Sequence, residues 1–178
     1  MKKKGWLSVV ALVLVLCCTV GGTLAWLTDT TDPVTNTFTV GDIDIDLAES
    51  EDLDLKMIPG KTITKDPKVT VKAGSEACWL FVKVEKSANF ADFLTYEMAD
   101  GWTALTGEDG VFWREVGAVT ADTFFAVLKG NKVTVQNTVT KEMLQGVKEG
   151  TERPTLAFTA YAVQKEGFDD ALTAWGKI

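Results

Sequence analysis

Between Phe38 and Leu47 the chain alternates apolar and polar positions with a period of two. Such spacing predicts a strand with Ile43, Ile45 and Leu47 on one face and Asp42, Asp44 and Asp46 on the other. Ile63 to Val71 is rich in β-branched residues but is broken by Asp66-Pro67, which predicts an edge strand or a bulge. Ala77 to Val82 is an unbroken apolar run, so the strand from Trp79 to Val84 should be covered on both faces at its start and on one face later. Turns are expected at Met57-Ile58-Pro59-Gly60 and Glu108-Asp109-Gly110, and further strands at Leu94–Met98, Val111–Trp113 and Thr155–Val163. Gly130-Asn131 separates Phe124–Lys129 from Lys132–Val139, a two-residue signal for a hairpin. Helical pattern is short: about Ala88–Leu94, Lys141–Gln145 and Asp169–Trp175. About eight short strands with small helical inserts predict an all-β fold, a β-sandwich of jelly-roll type.

The N-terminus has a different pattern. Lys2-Lys3-Lys4 precedes an apolar stretch from Trp6 to Val20, followed by Gly21-Gly22 and Thr23-Leu24-Ala25. This is the layout of a secretory signal peptide over residues 1–25, with Thr23 and Ala25 as the small residues before a cut between Ala25 and Trp26. An uncleaved anchor is the alternative, because the apolar span can be extended through Leu27 to about 20 residues. Residues 26–178 then form a single β domain, large enough to fold around a core without disulfides. Within it, the polar, threonine-rich residues 26–37 are expected to be a flexible N-terminal assembly segment.

Composition narrows the chemistry. The chain has 178 residues, 25 acids against 18 bases, and no histidine. Three of the bases lie in the signal segment, so removing it makes the remainder more acidic, and nucleic acid is not an expected partner. Without histidine there is no histidine-based triad and no zinc site built on imidazole. Of three cysteines, Cys17 and Cys18 lie in the signal segment, which leaves Cys78 alone. In its apolar run Cys78 reads as a small buried hydrophobe rather than a nucleophile. No cofactor is expected.

Few residues are candidates for a site. Asp42, Asp44 and Asp46 would project from one strand face about 6.6 Å apart. With backbone oxygens they make a weak Ca²⁺ candidate, but the glycine and distant glutamate of a calcium loop are missing, and a solvated acidic face, continued by Glu49, Glu51, Asp52 and Asp54, is the favoured reading. Among the tryptophans, Trp79 and Trp113 fall in strand-like runs and are expected in the core. Trp102 follows Asp100-Gly101 and is expected to be exposed, where it could stack on a sugar.

Particular strings resemble one family. The run from Gly21 through Thr23-Leu24-Ala25-Trp26-Leu27-Thr28-Asp29 resembles the signal-peptide end of TasA/camelysin proteins. Asn36-Thr37-Phe38-Thr39-Val40-Gly41-Asp42 and its continuation to Leu47 resemble that family's first strand. The Pro59-Gly60 turn and Ala160-Tyr161-Ala162-Val163-Gln164 also fit. The resemblance implies a jelly-roll domain, processing by the dedicated signal peptidase SipW, and export from a Gram-positive-type bacterium. It also implies assembly with copies of itself or related proteins into biofilm-matrix or cell-surface fibres, with membrane contact only through the signal peptide. The family carries a metallopeptidase label, which a chain without histidine contradicts, so the expectation is a non-enzymatic structural protein. The alternatives are a secreted glycan-binding module and, behind it, a camelysin-like metallopeptidase.

Overall fold

The computed structural model describes residues 42–50, 56–150 and 152–178, all of which fall in one compact unit, Val40–Ile178. The signal segment, the Ala25–Trp26 cut, residues 26–37, the start of the first strand at Phe38, and Glu51, Asp52 and Asp54 lie outside the described residues. The fold is all-β. Ten antiparallel strands are described: β1 (Ile45–Ala48), β2 (Thr62–Thr64), β3 (Lys68–Val71), β4 (Cys78–Lys86), β5 (Leu94–Thr95), β6 (Thr103–Ala104), β7 (Val111–Val116), β8 (Thr123–Ala126), β9 (Lys132–Val135) and β10 (Leu156–Gln164). They form three sheets, ordered β1-β3-β8, β10-β4-β7-β6 and β2-β9-β5. Three short helices accompany them: α1 (Phe90–Phe93), α2 (Lys141–Glu149) and α3 (Ala171–Trp175).

Strand β4 is the centre. Cys78, Leu80, Val82 and Val84 point to one face and pack with Val69 and Val71 of β3, joining the first two sheets. Trp79 and Phe81 point to the other face, which α3 covers with Ala171 and Ala174. Leu80 and Phe81 are therefore both 0% exposed although they are sequence neighbours. Helix α3 starts where Asp170 accepts a hydrogen bond from the Thr173 N–H at 2.8 Å, a side-chain cap. The expected double burial of the strand and the helix after Asp169 are borne out.

The alternation in β1 is also borne out. Ile43, Ile45 and Leu47 pack on the β3–β4 cluster, while Asp42, Asp44 and Asp46 are exposed. Both expected turns form. At Gly110 φ is +73°, and an added Cβ would lie 2.5 Å from the Val84 carbonyl oxygen, so only glycine fits there.

Two expectations fail for physical reasons. Ile63–Val71 is neither one edge strand nor a bulge. It divides at Asp66-Pro67 into β2 and β3, which belong to different sheets. Pro67 has no N–H to continue a ladder, and its buried carbonyl accepts instead from the Val127 N–H at 3.0 Å. Gly130-Asn131 likewise does not close a hairpin. The turn itself forms, with φ of 64° and 51° at the two residues and the Asn131 N–H on the Leu128 carbonyl at 3.1 Å. However, β8 pairs with β3 and β9 pairs with β2 and β5. The apolar residues on the two sides of the turn serve different clusters, Val127 with β4 and Val133 with Phe90.

Trp102 corrects the sequence reading most directly. It is 9% exposed, and its indole Nε1–H donates to the Ala126 carbonyl at 2.8 Å. The Arg114 guanidinium lies 4.0 Å from the Phe125 ring centre and 5.4 Å from that of Trp102, so the cation closes over both rings. The hydrophobic cluster, not solvent, takes the indole, and the sugar-stacking role loses its residue. Trp79 and Trp113 meet edge to face at 5.3 Å, as a core pair should.

Three outcomes follow from this packing. Leu80→Ala should cost about 2–5 kcal/mol, measured by chemical denaturation, because the cavity opens between two joined sheets. Trp102→Ala should cost about 3–5 kcal/mol by the same measurement, and polysaccharide should leave its fluorescence unchanged. The third concerns acid. The Ala73 N–H holds the Asp122 carboxyl below the ordinary carboxylate range, and the Thr173 N–H does the same for Asp170. A carboxyl lowered on folding stabilises the fold above its unfolded pKa, and that contribution is lost as pH falls through the lowered value. Asp122→Asn and Asp170→Asn should therefore flatten the acid limb of stability against pH, with little change in that slope near neutrality.

Candidate functional site

Strand β10 is the longest sheet edge among the described residues. It runs antiparallel to β4 for nine residues, from Leu156 opposite Lys86 to Gln164 opposite Cys78. Among the described residues it pairs with no other strand. Its sequence, Leu-Ala-Phe-Thr-Ala-Tyr-Ala-Val-Gln, contains no charge, proline or glycine. Exposed edges are usually blunted by lysine, proline, bulges or shortness, because their free N–H and C=O groups invite another strand. The opposite edge of this sheet, β6, is only two residues long.

The core-directed side of β10 is incompletely covered. Phe158, Ala160 and Ala162 lie opposite Val84, Val82 and Leu80 and face the same cluster. The β4 residues are 0–4% exposed, whereas the three on β10 are only half-buried. Ile43, Ile45 and Leu47 on the neighbouring edge strand β1 are half-buried too. The two sheet edges run close together, and among the described residues no strand pairing joins them, leaving an apolar seam between them.

At the start of β10 lies a groove of about 590 Å³. Its floor is apolar, made by Ile63, Phe90, Leu94, Val133, Leu144 and Leu156. It occupies the gap between the cluster under α2 and the cluster around Phe90, and Leu94 touches both. Helix α2 forms one wall. It is capped by Thr140, whose hydroxyl accepts from the Met143 N–H at 3.3 Å, and it buries Val147. The rim is basic, with Lys56, Lys65, Lys148 and Arg153, and among the described residues no acid lines the groove.

The residues singled out from sequence do not come together at either place. Asp42, Asp44 and Asp46 are exposed on the outer side of the β1 segment, where the backbone around Asp44 is held by Ser75 through the Asp44 N–H at 3.1 Å. Among the described residues no three acidic, cysteine or histidine side chains converge on a common point. Ala25 and Trp26 lie outside the described residues. Cys78 is wholly buried, and burial pushes its thiol up to about 11, so it is the small core residue expected. The β10 edge has a signal that sequence alone carries, a nine-residue run without charge, proline or glycine. The groove has none, because its residues come from six separate stretches of chain.

The family described as camelysin metallo-endopeptidase matches residues 1–88. That span ends just after β4, so β10 and α2 lie beyond it. No curated protein and no solved structure matches the chain. The family description implies a bound metal, and the donor set does not fit one: the chain has no histidine, and Cys78, the sole cysteine among the described residues, is sealed in the core. What the match to residues 1–88 does bear out is the resemblance to the TasA/camelysin family carried by Gly21–Asp29 and Asn36–Leu47.

Proposed function

We propose that this is a secreted, non-enzymatic structural protein of a Gram-positive-type bacterium that assembles into extracellular biofilm-matrix or cell-surface fibres. The observation that carries the reading is the β10 edge, long, uncharged and half-buried on its core side. In this reading the domain is a jelly-roll-type sandwich with one place left for a strand. A SipW-type peptidase cuts between Ala25 and Trp26, and residues 26–37 of one copy add to the β10 edge of the next. Main-chain hydrogen bonds supply affinity, and alternate side chains enter the seam beside Ile45 and Phe158. Such a contact joins two different surfaces, so it repeats head to tail and grows a filament. The signal peptide also acts as a guard, since the donor segment is tethered until the cut is made.

Electron microscopy of protein collected from the medium tests this, with two variants beside it. Ala160→Lys places a charge that can reach water in the monomer but is buried unpaired once a strand covers it. It should keep the β signal in circular dichroism and form no fibres. Deleting residues 26–36 should also leave a folded monomer that does not assemble. Fibres of unchanged form from either variant would overturn the donor-strand reading, and absence of fibres from the unaltered protein would overturn the structural role.

A further inference from the structure

The groove beside β10 has a composition at odds with the chain around it. Acids outnumber bases overall, 25 to 18, yet among the described residues four cations and no acid line the groove. Lys65 is already engaged: its Nζ lies 3.0 Å from both Glu49 carboxylate oxygens and 5.5 Å from the Phe158 ring centre. Lys148 and Arg153 are exposed and make no ion pair among the described residues. They stand on two separate segments, the last turn of α2 and the approach to β10, and both border the same apolar floor.

We infer that this groove binds a single-chain anionic amphiphile of the long-chain carboxylate class, its tail on the apolar floor and its head between Lys148 and Arg153. The volume, about 590 Å³, is within the range of small-molecule sites, and a concave groove takes one chain rather than the surface of a bilayer. The floor supplies tail affinity in proportion to length, about fourfold for each further buried CH₂. The rim selects the head. A carboxylate gains charge-assisted hydrogen bonds from the guanidinium and the ammonium, while a neutral hydroxyl gains less and a quaternary ammonium is repelled. Neither fibre assembly nor catalysis is required for this binding.

Calorimetry on protein purified without detergent tests the site. Dodecanoate, decanoate, dodecanol and dodecyltrimethylammonium are titrated below their micelle concentrations. Dodecanoate should bind one per chain, more tightly than decanoate and about tenfold or more tighter than dodecanol, with the cationic amphiphile weakest. The double substitution Lys148→Glu, Arg153→Glu lies on exposed positions and should leave the fold intact by circular dichroism. It should remove the preference for dodecanoate over dodecanol without weakening dodecanol. Equal affinity for the three twelve-carbon amphiphiles, no saturable binding of dodecanoate, or an unchanged preference in the double variant would each overturn the assignment. Sedimentation with vesicles containing anionic phospholipid, without binding of free dodecanoate, would mean a membrane-facing surface and would overturn it as well.

Discussion

Burial of β4 on both faces is the constraint that the rest of the structure depends on. A strand with one covered face needs one sheet or one helix against it. With Leu80 and Val82 turned to β3 and Trp79 and Phe81 turned to α3, β4 needs a second sheet and a C-terminal helix at once. Its register with β10 on one side and β7 on the other then sets which residues of those strands face the core. A one-residue slip would move Phe158 and Ala160 from the seam to the outer face. The open character of the β10 edge is thus a consequence of how β4 is held, since β4 spends one edge on β7 and the other on β10.

The sequence made some of this legible and hid the rest for identifiable reasons. Where one residue type and one periodicity decide the outcome, the reading holds. The alternation from Asp42 to Leu47 and the unbroken run Ala77–Val82 are local signals of how many faces are covered, and the structure follows them. Where pairing partners decide, local signals mislead. Gly130-Asn131 adopts the left-handed turn that its residues favour, yet the strands on either side go to different sheets because Val127 and Val133 belong to different clusters. Asp100-Gly101 does make a turn before Trp102, but an Arg114 lid and a carbonyl partner for the indole cannot be read from the residues next to it. The groove is the extreme case, assembled from distant segments whose basic rim emerges only on folding.

The edge and the groove answer different physical demands at one end of the same strand. β10 offers backbone groups and a partly filled apolar seam, which suits an extended chain. The groove offers an apolar floor and cations, which suits a compact amphiphile. Leu156 belongs to both, and Phe158 carries Lys65 over its ring at the boundary between them. The family match over residues 1–88 agrees with the assembly reading, while for the metallo-endopeptidase description attached to that family no metal donor set is found among the described residues.

The central claim is that the outer edge of β10 is unpaired in the monomer and paired after assembly. Amide hydrogen exchange across Leu156–Gln164, compared between the monomer and the fibre, tests it most directly, because exchange reports backbone hydrogen bonds residue by residue. The account predicts that alternate amides of β10, those directed away from β4, exchange fast in the monomer and become protected in the fibre. Amides directed toward β4 should be protected in both. Protection of every second β10 amide that is the same in monomer and fibre would contradict it.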